Sequence, residues 1–234
     1  MHELLSIHSK EELDCVRKAG KLCEAAMAAM VQAAEPGATE IDLKAAAAYA
    51  ILKGGGDVDF LIIGSTSMQD PAMVFGNPRP SMRKLTKDDI ILMELAAGYR
   101  GYSAQIGQPI CVGPPPADVQ RFWDEIARPG YLKMVAEVKP GAPVENMRIA
   151  GDFFREKGVQ SRPIHAHGID LITDGPHVFK DGVHAEPFER VLKPGMVLMP
   201  EPNPITAAAT SSGSMRKTAR SSGAIPSAGW AATP

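Results

Sequence analysis

The sequence predicts an α+β fold of two related halves, with helices covering one face of a curved antiparallel sheet, and three observations predict it. Two helical segments open the chain, short strand-like runs follow them, and the same helix-punctuating grammar returns at a constant offset of 104 residues.

Each element has a local reason. Ser9-Lys10-Glu11-Glu12 is a capping box, in which Ser9 accepts from the backbone three residues on and Glu12 reaches back, so a helix starts here. Leu13, Val16, Ala19, Leu22, Cys23, Ala26, Met27 and Met30 recur at helical spacing until Pro36-Gly37 stops the pattern. A second, alanine-rich helix runs from about Glu40 to Lys53 and ends at Gly54-Gly55-Gly56. Strand-like runs span Asp59 to Ile63, Ile90 to Leu95, Gln108 to Val112 and Met196 to Met199. Glu35-Pro36-Gly37-Ala38 and Lys53-Gly54 match Lys139-Pro140-Gly141-Ala142 and Lys157-Gly158, which marks an internal duplication and a pseudo-two-fold domain. Within a predicted helix from Ala117 to Val138, Pro129-Gly130 removes a backbone donor at a cost of ~3 kcal/mol, so a kink or split is expected. Residues 1–204 form one catalytic-type domain. From Ile205 to Pro234, 21 of 30 residues are Ala, Ser, Thr or Gly and none is acidic, so this end is expected to be an atypical, weakly ordered tail.

Composition narrows the function classes. A chain of 234 residues with 44% hydrophobic content buries a sizeable core without staples. Its formal charge of -2 comes from 25 basic and 27 acidic residues without blocks, so neither nucleic acid nor a membrane surface is implied as partner. Cys15, Cys23 and Cys111 form no Cys-x-x-Cys, which argues against a disulfide framework and for a reducing compartment. With no signal-like amino terminus, a cytoplasmic location is expected.

The chemistry-bearing residues lie late in the chain. His167 in Pro163-Ile164-His165-Ala166-His167-Gly168-Ile169-Asp170-Leu171 and Glu201 in Leu198-Met199-Pro200-Glu201-Pro202 each sit on a short apolar stretch. A histidine and a later carboxylate so placed are typical parts of a metal or hydrolytic centre. Together with Asp89-Ile90-Ile91-Leu92-Met93-Glu94-Leu95, Gly98 to Ile106 and Leu192 to Pro202, these stretches resemble, in order and spacing, the pita-bread family of creatinase, methionine aminopeptidase and Xaa-Pro peptidases. The resemblance implies the pita-bread fold and a site of Asp, Asp, His, Glu and Glu on neighbouring strands. Glu94 stands at the first Asp and Gln105, eleven residues later, at the second; His167 and Glu201 match the histidine and first glutamate. No carboxylate follows Glu201 to supply the last ligand. The family's upstream substrate histidine is also missing, its region being occupied by Phe75-Gly76-Asn77-Pro78.

Charge counting turns these departures into an expectation. Glu94 and Glu201 leave two divalent ions with an excess charge of two, and each uncompensated unit pair at 4 Å costs about 4 kcal/mol at an effective dielectric of 20. A dinuclear site is not expected; one divalent ion on the remnant positions Glu94, Gln105, His167 and Glu201 is the most the ligand set implies. The resemblance therefore points to the creatinase-like branch, which cleaves a C–N bond without metal. By that analogy His167 or His177 serves as general acid or base with Glu201, while Glu94, Gln105, His165 and Asp174, with Asp170 as a further candidate, bind substrate or orient water. A C–N hydrolase of a small molecule or short peptide is the leading reading. A pseudo-peptidase that keeps the fold as a binding module is the alternative, and a metal-dependent Xaa-Pro-type aminopeptidase comes third. A homodimer is compatible with the resemblance. The start at the catalytic domain fits either a one-domain form or the lack of a partner segment.

Overall fold

The computed structural model describes residues 5–73, 75–76, 79–169, 173–205 and 231–232. Helix α1 (Lys10–Ala33) carries the expected capping box: the Ser9 N–H donates to Glu12 Oε2 at 2.6 Å and the Glu12 N–H to Ser9 Oγ at 3.2 Å. Helix α2 (Glu40–Lys53) starts with an equivalent box between Thr39 and Asp42. Their apolar faces pack on a sheet of β1 (Asp57–Ser67), β2 (Asp89–Tyr99), β3 (Tyr102–Gly107) and β4 (Ile110–Cys111), with β2 pairing all three others antiparallel. Met30, Leu43, Ile51, Ile63, Ile91, Met93 and Leu95 form the centre of this core. β3 is a strand that periodicity does not predict, and Pro109 helps confine the expected Gln108–Val112 run to two residues. The β2–β3 hairpin turns through Arg100 and Gly101, both at positive φ (55° and 86°), the geometry whose twist matches that of the flanking strands.

The second half begins with α3 (Ala117–Phe122), a π-helical stretch (Trp123–Ala127) and α4 (Arg128–Val135). The proline splits the helical path as expected: the π turn precedes it, and Pro129 falls in the first turn of α4, where a missing N–H costs little. Helix α5 (Glu145–Glu156) then covers a sheet containing β6 (Ile164–Ile169), β7 (Thr173–Phe179), β8 (Gly182–His184), β9 (Val197–Pro200) and β11 (Ala231–Ala232), in the order β11-β9-β6-β7-β8. Short strands β5 (Gln160–Ser161) and β10 (Pro204–Ile205) pair alongside. Met134, Val144, Met147, Phe154, Ala166, Val178 and Leu198 make the second core. Of the expected tail, Ile205 and the β11 pair are described, the latter bonding to β9 where no strand alternation exists; residues 206–230 and 233–234 lie outside the described residues. Among the described residues, no helix is long and apolar enough to cross a membrane.

The duplication has matching backbone chemistry in both halves. The Gly37 N–H donates to Leu85 O (2.8 Å) and the Leu85 N–H to Ala38 O (2.7 Å); the Gly141 N–H donates to Leu192 O (2.8 Å) and the Leu192 N–H to Ala142 O (2.9 Å). Gly37 and Gly141 both hold positive φ, 97° and 83°, the left-handed conformation that glycine takes without penalty. Leu192 follows Leu85 by 107 residues, and the same step carries Glu94 to Glu201. The two carboxylates thus occupy equivalent positions of the two halves.

Two features tie the molecule together. Buried Glu40, 3% exposed, accepts at Oε1 from the Ser65 N–H and hydroxyl, both 2.7 Å, and at Oε2 from the Ser81 N–H (2.7 Å) and hydroxyl (2.8 Å). Arg83 continues the network to Ser65 Oγ at 2.7 Å and to both oxygens of buried Asp89 at 2.8 Å. At the amino terminus the His8 N–H and ring Nδ1–H both donate to Gly195 O, at 2.9 and 3.1 Å. Val16 and Leu13 of α1 pack on Ile169, Val197 and Met199 of the second sheet, so α1 clasps both halves.

Candidate active site

On β2, Ile91, Met93, Leu95 and Ala97 face the helices, which turns Glu94 to the opposite face of the sheet. Gln105 pairs opposite Ala96 and Glu94 opposite Gly107, so Glu94 and Gln105 are diagonal neighbours on that face. In the second half, Ala166, Val178 and Leu198 face the helices. His167, His177 and Met199 are direct cross-strand partners on the other side. Glu201 follows β9 and is fixed by its N–H donating to His165 O at 2.7 Å.

The geometry around His167 is specific. Its Nδ1–H donates to Gly168 O at 2.9 Å, because a carbonyl can only accept, which leaves Nε2 as the basic nitrogen of the neutral ring. That Nε2 lies 3.8 Å from Glu201 Oε1. The His167 and His177 rings stand 6.4 Å apart. Burial pushes His167 below its ordinary value, aided by His177 and opposed by the Gly168 bond. Burial raises Glu201 to about 8, with Glu94 repelling its ionised form and Arg162 partly offsetting both. Glu94 is raised by burial and lowered by Arg162. A neutral imidazole therefore faces a carboxyl that keeps its proton near neutrality. Gln105 Oε1 is buried without a hydrogen-bond partner among the described residues.

His165 is placed elsewhere. The β6–β7 ladder shifts register between Ile164 and Ala166, and His165 turns toward α5. Its Nε2 is 2.7 Å from Ser161 Oγ, its ring lies edge-on to Phe154 at 6.0 Å, and Nδ1 has no hydrogen-bond partner among the described residues. It lines a cavity of about 330 Å³ with Gly151, Asp152, Ser161, Lys180 and Asp181, and burial pushes it down to about 4. A Cβ on Gly151 would meet His165 Nδ1 at 2.5 Å. Gly151→Ala is thus expected to cost about 1–3 kcal/mol, read by chemical denaturation, and an unchanged midpoint would remove His165 from contact with α5. Of the remaining candidates, the Asp174 backbone pairs with Gly168 on β7, while its side chain and Asp170 lie outside the described residues.

Sequence reasoning missed Arg162. It stacks over Phe75, its Cζ 4.0 Å from the ring centroid, and acts electrostatically on both Glu94 and Glu201. The signal available was its position five residues before His167.

The chain is similar to known proteins throughout. A family model described as Metallopeptidase family M24 matches residues 14–224. A probable dipeptidase PepE of Mycobacterium tuberculosis is 29% identical over 213 residues, covering 86% of this chain and 52% of the relative. An Xaa-Pro dipeptidase of Pyrococcus furiosus is 28% identical over 204 residues, covering 86% of this chain and 56% of the relative. The chain thus spans about half the length of the curated relatives it matches. Among solved structures, an X-Pro aminopeptidase from Thermotoga maritima superimposes with a TM-score of 0.80 at 21% identity, covering 99% of this chain and 60% of the other. A methionine aminopeptidase from Rickettsia prowazekii gives 0.74 at 16% identity, covering 97% and 93%. These superpositions show the pita-bread fold.

Proposed function

The chain belongs to metallopeptidase family M24, and from that premise we propose that it hydrolyses the peptide or related C–N bond of a short substrate, using His167 and Glu201 as a proton-transfer pair. The observation that carries this reading is the facing of His167 Nε2 and Glu201 Oε1 across 3.8 Å, with Nδ1 already committed to Gly168. His167 takes a proton from water as the water oxygen bonds to the carbonyl carbon. The C–N bond then breaks as the Glu201 carboxyl gives its proton to the leaving nitrogen. Return of the proton from His167 to Glu201 across the same gap restores the pair. Glu94 and the unpartnered Gln105 Oε1 suit the substrate's ammonium group, one by charge and one by hydrogen bonding.

The family implies a pair of divalent ions, and these donors do not fit one. Two carboxyls that repel each other, one imidazole and a neutral amide undersupply charge, and among the described residues no three His, Cys, Asp or Glu side chains converge closely enough to share an ion. The orphaned Gln105 Oε1 favours a second reading, in which a single ion is held by Gln105 with no more than two of Glu94, His167 and Glu201. Turnover of a dipeptide panel, elemental analysis and melting with and without chelator separate the two. The expected result is chelator-resistant turnover, less than one tightly held ion per chain and a nearly unchanged melting temperature. Two bound ions with activity lost on chelation would overturn it, and binding without turnover would make the chain a binding module.

A further inference from the structure

Resting on the peptide-hydrolase reading, we propose that Ser161 and His165 are positioning residues for the reaction: their hydrogen bond, on the helix side of β6, sets the peptide group that holds the Glu201 carboxyl against His167. The reason begins with two prolines. In Pro200-Glu201-Pro202 only Glu201 has a backbone N–H, since a proline has none, so a single donor fixes the chain where the carboxyl leaves it. That N–H donates to His165 O at 2.7 Å. The next bond between the two segments, from the Arg162 N–H to Asn203 O at 3.0 Å, lies two residues further along. Where Glu201 sits therefore follows where the His165 carbonyl points.

The regular ladder does not set that carbonyl. β6 pairs β7 through Ile164 and Phe179 and then through Ala166 and Val178, and the register shift between these pairs leaves His165 without a partner on β7. Its orientation is set instead by its side chain, which is 2% exposed and held on three sides. Nε2 is 2.7 Å from Ser161 Oγ, Phe154 meets the ring edge-on at 6.0 Å, and Gly151 of α5 lies so close that a Cβ there would meet Nδ1 at 2.5 Å. A buried N–H is seldom left without an acceptor, and Nδ1 has no partner among the described residues, so the ring carries its proton on Nε2 and donates it to Ser161 Oγ. Ser161 is anchored in turn, because it pairs with Pro204 in the β5–β10 ladder. Residues 161 to 165 thus form a short loop closed by its own side chains. Phe154 and Gly151 supply its packing, Ser161 supplies the direction of the ring, and the bond from His165 O to the Glu201 N–H carries that direction to the site.

The test uses Ser161→Ala, Ser161→Thr, which keeps the hydroxyl, and His165→Phe, which keeps a ring but loses the bond, each alone and with Glu201→Gln. Turnover of a dipeptide, thermal melts and amide hydrogen exchange by NMR are read on every protein. Ser161→Ala is expected to lower kcat about 10- to 100-fold with KM within about two-fold, the loss that follows when a reacting group is misplaced by about an ångström. Ser161→Thr should stay within a few-fold of the wild type. His165→Phe should match Ser161→Ala, and if it fails to fold the two Ser161 variants carry the test. Exchange at the Glu201 N–H should quicken about ten-fold or more in Ser161→Ala, while amides of the β1–β2 ladder exchange as before. In the Glu201→Gln background Ser161→Ala should cost at most a further two- to three-fold, roughly nothing, because a pair that acts through Glu201 has no carboxyl left to position. A kcat loss that multiplies in full with that of Glu201→Gln would overturn the assignment and leave the hydrolase reading standing. So would an unchanged exchange rate at Glu201 in Ser161→Ala. Quickened exchange in that variant with no turnover by the wild type would instead overturn the hydrolase reading, and Ser161 and His165 would be left as holders of the Glu201 backbone alone.

Discussion

Replacing His167 by glutamine, or Glu201 by glutamine, is expected to lower kcat on a dipeptide by about 10²- to 10⁴-fold with little change in KM, the range associated with loss of a positioned general acid or base. The two residues act on one proton path, so the double variant should be no slower than the worse single variant by more than a few-fold. Stability should move the other way for Glu201→Gln. The folded carboxyl is raised to about 8 from an ordinary 4.5, first by burial and then by Glu94. Its contribution is intact below pH 4.5, and a cost grows as pH rises toward 8, because the unfolded chain ionises while the folded one resists. Removing the ionisable group should therefore raise the melting temperature at neutral pH and leave it unchanged near pH 4. Single variants whose effects multiply would show that the two side chains act independently of one another and do not exchange the proton. A Glu201→Gln protein less stable at pH 7 than the wild type would show that the carboxyl is ionised in the fold.

Glu40→Ala is expected to destabilise the protein by about 3 kcal/mol or more. The substitution removes the acceptor of four donors and strands those of buried Ser65, its N–H and hydroxyl, around a vacated buried position, while exposed Ser81 can turn to water. Arg83, which bonds Ser65 and Asp89, loses part of its support at the same time. Burial alone would raise Glu40 and Asp89, but the hydrogen bonds from Ser81 and Ser65 to the first, and from Arg83 and Thr86 to the second, hold both below their ordinary values. Depressed carboxylates stabilise the fold above their unfolded values, 4.5 for Glu40 and 3.8 for Asp89, and that stability is lost as pH falls through the folded ones. Urea titrations at pH 7 and near pH 3 should show the variant's deficit large at the first and small at the second. A deficit independent of pH would assign the loss to packing rather than charge.

How far the sequence foretold this depends on the range of each interaction. The capping box at Ser9 is local, so the start of α1 was readable to the residue, and its end, expected at Pro36-Gly37, comes slightly earlier at Ala33. The duplication was readable from the turn glycines, since Gly37 and Gly141 answer a backbone demand that few other residues meet. β3 was not readable: Tyr102-Ser103-Ala104-Gln105-Ile106-Gly107 has no clean alternation, and its pairing follows from a turn with Arg100 in a conformation unusual for arginine. Glu94, Gln105, His167 and Glu201 could be named from the resemblance of their stretches to the pita-bread family. The register shift that turns His165 to α5 leaves no mark in the residue pattern. The stacking of Phe75 on Arg162 joins the two halves across a long stretch of chain, and nothing short-range in the sequence signals it.

The clasp between His8 and Gly195 spans 187 residues of chain. On a ribosome adding about 5–20 residues per second, the amino-terminal segment waits about 10–40 s for its acceptor to be made. Through that interval the first core can close on its own, since its helices and strands all precede Val112, but Leu13 and Val16 have no second sheet to cover. The face of α1 that later joins the halves is thus apolar surface on the nascent chain, open to a chaperone or to another unfinished copy until the last third emerges. Synthesis is the stage at which this architecture is most exposed to misassembly, and a pause in translation ahead of residue 195 would lengthen that exposure in direct proportion.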